Sequence, residues 1–250
     1  MNLIFTHGEK GGVGKSTAAK MILSRAIERG MNPYLIEGDS GIPDVLDAYR
    51  GHVNGFSIPL NRPDMATEAM GALMQHVEQN HQALRGRPIV LNLPAGAGAT
   101  VDAMAVEVAD VCRALDATIT TVFLVAPGPD SLRTAKQSLE AGIAGVSDIR
   151  VAALNAHLEK PEQMEWMGSS TQAEWLDNGL EFVLQSLAAR VSTAIRPLRG
   201  PLFSLAAGEG DGKELFLFDR SALRRWLVEC QPLADAALGT DEDNTKGEAA

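Results

Sequence analysis

Residues 8–17 read GEKGGVGKST and stand between a short apolar run and a segment with helical spacing. A loop that binds phosphate needs glycines that let backbone N–H groups point inward, a helix N-terminus beneath them, a lysine and a hydroxyl. These requirements are met by Gly11, Gly12, Gly14, Lys15 and Ser16. The stretch therefore predicts a phosphate-binding loop in which Lys15 reaches the β- and γ-phosphates and Ser16 holds a magnesium ion.

The loop departs from the strict G-x-x-x-x-G-K-S/T pattern at one position, because Glu9 stands where the first glycine belongs. We expect every residue from Glu9 to Thr17 to line the nucleotide site, including Lys10 and Val13, with Thr17 donating to an earlier phosphate. The alternative is a glycine-rich turn before an ordinary helix. It is disfavoured because strand, loop, GKST and helix follow one another in the required order.

Apolar runs alternate with helical patterns along the rest of the chain. Strands are predicted over 3–6, 33–36, 88–93, 120–125, 151–154 and 180–184. Helices are predicted over about 14–29, 64–84, 101–116 and 188–195. Two further helices are expected to start near 130 and at 219 or 221. Asp64 is the expected N-cap of the second helix, and residues 40–63 predict a switch and connecting loop. Such strands are typical of an α/β protein whose mostly parallel, twisted β-sheet has helices on both faces.

The fold we expect is therefore the P-loop NTPase fold, formed by residues 1–238 as a single domain, with a disordered acidic tail over 239–250. The formal net charge is -10 over 250 residues, so contact with nucleic acid or anionic membrane would need a local basic patch. Cys112 and Cys230 lack metal-ligand spacing and predict reduced thiols. Neither a membrane-spanning run nor a signal peptide is recognisable, which favours a cytoplasmic location.

The string KGGVGKST, with its extra Lys10, resembles the ParA/MinD family of deviant Walker A ATPases over about residues 1–200. The resemblance implies ATP and Mg²⁺ as ligands and an ATP-dependent homodimer. It also implies that Lys10 reaches across that dimer to the partner's phosphates, as an arginine finger does in trans. The alternative for Lys10 is a solvated charge beside an anion.

The same resemblance assigns roles after the second and third strands. Asp39 would orient the attacking water and lie near the metal, with Glu37 near the magnesium shell; the alternative for Asp39 is a turn residue. Where the family has the aspartate of DxPAG, this chain has Asn92, which could still offer its carbonyl oxygen to a metal-bound water. We therefore predict weak metal coupling and slow hydrolysis with binding retained. Gly96 would sense the γ-phosphate, and Asp44 is expected to be a helix-start or surface acid.

Base recognition is expected after a late strand, at Leu154-Asn155-Ala156-His157. No lysine and aspartate of a guanine-binding N/T-K-x-D string occur there, so GTP is disfavoured. The resemblance implies that Asn155 contacts adenine and that the stretch around Gln185 completes the pocket. The alternative for Asn155 is a strand-end turn residue.

The sequence says little about partners. The resemblance implies an adaptor, a centromere-binding protein or a relaxosome component, while the acidic end of the chain argues against a direct membrane anchor. Weak non-specific DNA binding and a solvated face both remain open for Arg190, Arg196, Arg199, Arg220, Arg224 and Arg225. A partner surface and core packing remain open for Met164, Trp166, Met167 and Trp175.

Three classes of function follow from these observations. The first is a dimerising ATP switch in plasmid partitioning, mobilisation or conjugative transfer, or positioning of a large cargo. The second is a metabolic enzyme of the same fold, such as a dethiobiotin-synthetase-like ligase. An iron-protein-like reductase is disfavoured because the two cysteines lie in the wrong places. The third is a nucleotide-dependent scaffold with little hydrolysis, suggested by Asn92.

Overall fold

A computed structural model describes residues 1–8 and 10–239 of the chain. The described residues do not include Glu9, which is a predicted nucleotide contact. They also do not include residues 240–250, which make up nearly all of the predicted acidic tail. The seven strands are β1 (Asn2–His7), β2 (Tyr34–Glu37), β3 (Asn54–Ser57), β4 (Pro88–Asn92), β5 (Thr118–Val125), β6 (Ile149–Asn155) and β7 (Leu180–Leu184). They form one sheet in the order β3-β2-β4-β1-β5-β6-β7, and every neighbouring pair is parallel. The expected α/β architecture is confirmed.

Helices cover both faces of the sheet. They are α1 (Lys15–Glu28), α2 (Asp44–Ala48), α3 (Ala66–Gln79), α4 (His81–Leu84), α5 (Gly98–Ala103), α6 (Ala105–Ala114), α7 (Pro129–Ala141), α8 (Ile143–Val146), α9 (Ser170–Leu176), α10 (Ala189–Ile195), α11 (Leu202–Ala207) and α12 (Leu217–Leu238). One core cluster lies between the sheet and α1 with α12, and two others pack the opposite face against α3, α6, α7 and α9. Strands buried on both faces explain the apolar runs of the sequence.

The structure corrects several predicted boundaries. Residues 40–63 are more than a connecting loop, because they contain α2 and the edge strand β3. The predicted helix 64–84 starts at Ala66 and is interrupted at Asn80, and Asp64 does not cap it, since the residue before its first turn is Met65. The predicted helix 101–116 is two helices, divided at Met104. Short polar strands and breaks within helical patterns leave only a weak trace in hydrophobic periodicity.

The central strand β1 lies between β4 and β5, and it delivers the chain to the phosphate loop at the carboxyl edge of the sheet. β2, β4 and β6 end at the same edge with Glu37, Asn92 and Asn155. In a parallel sheet this edge is where ligands bind. Side chains that are far apart in the sequence thus meet around the start of α1.

Candidate nucleotide site

The loop between β1 and α1 has the shape of an anion cradle. Gly12 and Gly14 have φ angles of 78° and 105°, which favour glycine because a Cβ is strained there. The first turn of α1 has neither a side-chain cap nor an acidic residue, and a helix N-terminus of this kind favours an anion. Nζ of the buried Lys15 donates to the carbonyl oxygens of Gly8 and Lys10 at 2.6 and 3.0 Å, across the loop.

Two side chains contact the hydroxyl of Ser16, the group predicted to hold the metal. Nδ2 of Asn92 donates to Ser16 Oγ at 3.3 Å, and Ser16 Oγ lies 3.3 Å from Oδ1 of Asp44. The second oxygen of Asp44 is 3.3 Å from Nζ of Lys20, one helical turn beyond Ser16. Asp44 therefore belongs to the site, although the sequence suggested a helix-start or surface acid. Asp44 also starts α2 and is exposed, so that prediction is confirmed.

Glu37 lies beneath this group with no exposed surface. Its Oε1 accepts from Nδ2 of Asn92 at 2.7 Å, and its Oε2 accepts from the backbone N–H of Val45 at 3.1 Å. Burial raises the pKa of Glu37 to about 7, although the hydrogen bond from Asn92 lowers it. Glu37 therefore joins β2, β4 and the first turn of α2 beneath the magnesium position.

The orientation of Asn92 contradicts one prediction. Its carbonyl was expected to face a metal-bound water, but Oδ1 faces the hydroxyl of Thr6 at 3.4 Å, while Nδ2 faces Glu37 and Ser16. Oε1 of Glu37 accepts from Nδ2 of Asn92 at 2.7 Å, and this contact holds the amide in its orientation. As arranged here, Asn92 offers a donor and no oxygen to a cation.

Two of the cavities in the described part of the chain border the phosphate loop. Asp39 forms a turn and lines the smaller of these two, which has a volume of about 280 Å³. Its Oδ1 accepts from the N–H groups of Gly41 and Ile42 at 2.9 and 3.0 Å and from Asn61 Nδ2 at 2.8 Å. Both the turn assignment and the proximity to the phosphate loop that the sequence suggested are thus present. The structure leaves its role towards water untested.

A larger cavity of about 700 Å³ opens on the other side of the loop, and both Asn155 and Gln185 line it. Its volume is within the range of small-molecule sites. Nδ2 of Asn155 donates to the carbonyl of Val13 at 2.9 Å, and Oδ1 accepts from the N–H of His157 at 3.0 Å. Asn155 thus ties the loop to the end of β6 as well as lining the cavity. Thr17 borders both cavities.

One predicted site residue, Lys10, contacts another part of the chain, and a second, Gly96, is exposed. Nζ of Lys10 lies 3.2 Å from a carboxylate oxygen of Asp130, at the start of α7. Gly96 follows β4 with a φ of 80° and lies on the surface. A Cβ on Gly11 would come within 3.8 Å of Ala95, so the two loops are neighbours.

Sequence reasoning missed a buried contact directly before the loop. His7, the last residue of β1, stacks on Phe123 with ring centroids 5.2 Å apart, and its Nε2 lies 3.3 Å from Oδ1 of Asp102. Burial would raise the pKa of Asp102, but its contacts with His7, Ile143 and Ser138 outweigh burial and lower it. The pair joins the phosphate strand to α5, and a lone histidine in the sequence gave no sign of it.

The residues present fit a nucleotide and Mg²⁺. The cradle combines an uncapped helix N-terminus of α1, glycines at positive φ and the buried ammonium group of Lys15. Mg²⁺ is usually held by one or two carboxylates together with substrate phosphates, and an all-protein cage is uncommon. Within the described part of the chain, no group of three or more His, Cys, Asp or Glu could hold a metal ion.

The tryptophan cluster is core. Met164, Trp166 and Trp175 are at most 3% exposed and pack in one cluster with Phe123, whereas Met167 is 43% exposed. The partner-surface alternative is therefore wrong for the first three. The large apolar side chains that are exposed include a consecutive group at the start of α12, namely Phe216, Leu217 and Phe218.

Part of the arginine set has neighbours within the chain. Arg190 donates to the buried Asp219 at 3.0 Å, and Arg224 donates to the carbonyl of Ala206 at 3.1 Å. Arg196 and Arg199 border the larger cavity. Within residues 1–8 and 10–239, no helix is both long enough and apolar enough to cross a bilayer.

No family model matches the chain. Protein MobD of Acidithiobacillus ferrooxidans is 26% identical over 233 residues, which are 92% of this chain and 95% of that protein. Among solved structures, the MinD cell division protein of Aquifex aeolicus matches with a TM-score of 0.47 and 16% identity. The match covers 91% of this chain and 97% of the MinD chain.

Chloroplast FtsY of Physcomitrella patens has a TM-score of 0.45 and 13% identity over 90% of this chain. The chain spans 64% of the length of that protein. FtsY of Thermotoga maritima matches with a TM-score of 0.41 and 15% identity. The match covers 90% of this chain and 68% of the FtsY chain. These structural similarities are distant, and none bears on the chemistry of the site.

The parallel sheet and the phosphate loop at its carboxyl edge define a P-loop NTPase. Two features of its loops resemble the ParA/MinD family. Lys10 precedes the loop glycines, and Pro94-Ala95-Gly96 begins two residues after Asn92, the last residue of β4.

Proposed function

We propose that this chain is an ATP-dependent switch that binds ATP with Mg²⁺ at the loop between β1 and α1, closes as a homodimer over the nucleotide and hydrolyses it slowly. The observation that carries the proposal is the position of Lys15. Its ammonium group is buried and bridges the two sides of the loop through the carbonyls of Gly8 and Lys10. A phosphate that entered the cradle would meet this charge and the N-terminus of α1 together.

Each part of the site has a role in this proposal. The phosphates lie against residues 11–17, and Ser16 holds the metal. The base enters the larger cavity, where Asn155 and Gln185 supply polar groups. Bound Mg²⁺ would offset the charge that develops on the phosphates during transfer. Asp39, at the rim of the smaller cavity, is the side chain that we assign to the attacking water.

Slow turnover follows from Asn92. Its side chain carries no charge and presents its amide nitrogen towards Ser16, so it gives the metal no anionic support. This same observation favours a second candidate function, a nucleotide-binding scaffold with little hydrolysis. Turnover with ATP separates the two, because the switch must release phosphate and the scaffold does not.

The cellular setting that we propose is plasmid partitioning, mobilisation or conjugative transfer, or the positioning of a large cargo. Its support is the ParA/MinD-like motif and the match to MobD over nearly the whole length of both chains. The partner would be an adaptor, a centromere-binding protein or a relaxosome component, and the dimer would bind DNA weakly at most.

The first experiment measures nucleotide binding. Titration with a fluorescent ATP analogue in Mg²⁺, with competition by ATP and GTP, is expected to show binding that ATP displaces better than GTP. Lys15→Ala should abolish it. Lys136→Ala is the matched control, because Lys136 is a surface lysine on α7 paired with Glu140. Absence of adenine-nucleotide binding by the parent protein would end the proposal.

The second experiment tests the switch. Sedimentation of the full chain should show a dimer with ATP and Mg²⁺ and a monomer with ADP. Lys10→Ala should keep nucleotide binding and lose the ATP-dependent dimer. The same oligomeric state in both nucleotides would instead favour the scaffold or a metabolic ligase.

A further inference from the structure

Asn92 stands where the ParA/MinD family has an aspartate. The proposed magnesium site therefore lacks the carboxylate that usually supports the ion. Mg²⁺ bound to substrate phosphates normally has one or two protein carboxylates nearby. Three acids border the smaller cavity, namely Glu37, Asp39 and Asp44. We propose that Asp44 supplies the carboxylate that holds Mg²⁺ beside Ser16. The inference rests on the proposed nucleotide site and assigns it a further metal-binding residue.

Glu37 is excluded by its contacts. Both carboxylate oxygens already accept hydrogen bonds, one from Asn92 at 2.7 Å and the other from the N–H of Val45 at 3.1 Å. The side chain is fully buried beneath Asn92. To reach a cation it would have to release the first turn of α2 and leave the amide of Asn92 without its acceptor, which costs free energy in a buried site.

Asp39 is less suited because its Oδ1 accepts three hydrogen bonds that shape its own turn, from Gly41, Ile42 and Asn61. Asp44 differs in this respect. Its side chain is 45% exposed, and the partners of its two oxygens are Ser16 and Lys20, the former being the predicted metal ligand itself.

The distance between Ser16 Oγ and Asp44 Oδ1 fits a shared cation. Adjacent ligands of an octahedral Mg²⁺ at about 2.1 Å lie about 3 Å apart. The two oxygens are 3.3 Å apart, and both border the smaller cavity next to the phosphate loop. Their present contact is a hydrogen bond from the hydroxyl. A cation can replace that proton-mediated contact with little movement of either side chain.

Two neighbours hold Asp44 in this position. Glu37 anchors the N–H of Val45, the residue that follows Asp44, so the first turn of α2 is fixed to the sheet. Lys20 lies 3.3 Å from the second oxygen of Asp44 and pairs with it without occupying the oxygen that faces Ser16.

The test measures how strongly Mg²⁺ tightens nucleotide binding. The affinity for fluorescent ADP and ATP analogues is measured in EDTA and in Mg²⁺ for the parent chain, Asp44→Asn and Asp47→Asn. Asp47 is the matched control because it lies on the same helix, is 48% exposed and pairs with Arg50. Asp44→Asn should lower the enhancement by Mg²⁺ about ten- to hundredfold, the usual effect of losing a group that supports a metal.

The affinity in EDTA serves as the internal check on folding. It should be unchanged or improved in Asp44→Asn, because a negative charge near the phosphates has been removed. A second readout is the affinity of Mn²⁺ for the ADP complex, measured by electron paramagnetic resonance, which should fall in Asp44→Asn and persist in Asp47→Asn.

The outcomes separate this inference from the proposed function. If the parent chain binds no nucleotide, both are wrong. If the parent chain binds nucleotide more tightly with Mg²⁺ and Asp44→Asn keeps that full enhancement, the metal is held without Asp44 and only the inference is overturned. Equal losses of affinity in EDTA and in Mg²⁺ would also overturn it, since the carboxylate would then act on the fold and not on the metal.

Discussion

Lys10 is bound within its own chain, with its ammonium nitrogen 3.2 Å from a carboxylate oxygen of Asp130. The hydrogen bond from Lys10 lowers the pKa of Asp130 from its ordinary value. Both side chains are about half exposed, so the pair can open readily. In the proposed dimer Lys10 has to leave this carboxylate before it reaches the partner's phosphates. Asp130 therefore competes with the dimer for the same charge.

Removing that competitor should favour the dimer. We expect Asp130→Asn to lower the protein concentration needed for ATP-dependent dimerisation by a few-fold, since exposed ion pairs are weak. Sedimentation velocity over a concentration series measures the change. The control is Asp110→Asn, which removes another exposed charge, one that pairs with Arg113 on α6. A weaker dimer in Asp130→Asn would show that Asp130 helps the closed state.

The buried carboxyl of Glu37 should make stability depend on pH. Its pKa rises from 4.5 to about 7 in the folded chain. Between these values the folded state keeps a proton that the unfolded state has released, so its contribution favours folding at low pH and is lost as the pH rises through about 7. The loss is up to about 3 kcal/mol, because one pKa unit is worth about 1.4 kcal/mol.

Denaturant unfolding without nucleotide and in EDTA, from pH 5 to pH 8, measures this slope. Glu37→Gln should flatten it. A glutamine amide nitrogen cannot accept the hydrogen bond from the N–H of Val45, so Glu37→Gln also changes the absolute stability. The readout is therefore the slope of stability against pH. A slope that survives in Glu37→Gln would assign the pH dependence to another group.

The sequence was sufficient for the elements whose signal is strong. The phosphate loop, the parallel sheet and the position of Asn155 at the end of β6 followed from glycine spacing and apolar runs. The strand β3 was missed because Asn54–Ser57 is short, half exposed and contains a glycine, features that weaken any strand pattern. Local spacing also could not show that Asp44 would turn back to Ser16, 28 residues earlier in the chain.

The orientation of an amide is likewise beyond sequence reasoning. Asn92 carries one oxygen and one nitrogen of similar reach, and which of them faces the metal position depends on its neighbours. Here Glu37 decides, and that residue lies on another strand. The sequence identified the exchanged residue correctly but could not foresee the direction of its carbonyl.

Burial of the tryptophan cluster predicts a large loss of stability on truncation. Trp166 is 2% exposed and lies in the T-shaped stack with Trp175, with ring centroids 5.9 Å apart. Trp166→Ala should lower the free energy of unfolding by about 3–5 kcal/mol. The neighbouring control, Met167→Ala, should change it by less than about 0.5 kcal/mol, because Met167 is largely outside the core. Similar small effects of both variants in denaturant unfolding would favour a partner surface instead.

The contact between Gly14 and Asn155 leads to a prediction about binding without loss of the fold. A Cβ on Gly14 would lie 2.8 Å from Asn155 Nδ2, and the φ of 105° already disfavours any side chain. Gly14→Ala should therefore displace the loop from the end of β6 and lower ATP affinity by at least about a hundredfold, since the backbone donors must aim at the phosphates together. Gly71→Ala is the control: a Cβ there meets nothing within 4 Å inside α3, so it should leave binding unchanged and stabilise the helix by about 0.5–1 kcal/mol. Calorimetric titration and thermal unfolding measure the two effects. If Gly14→Ala binds ATP like the parent chain, the loop does not hold the phosphates in the conformation described for it.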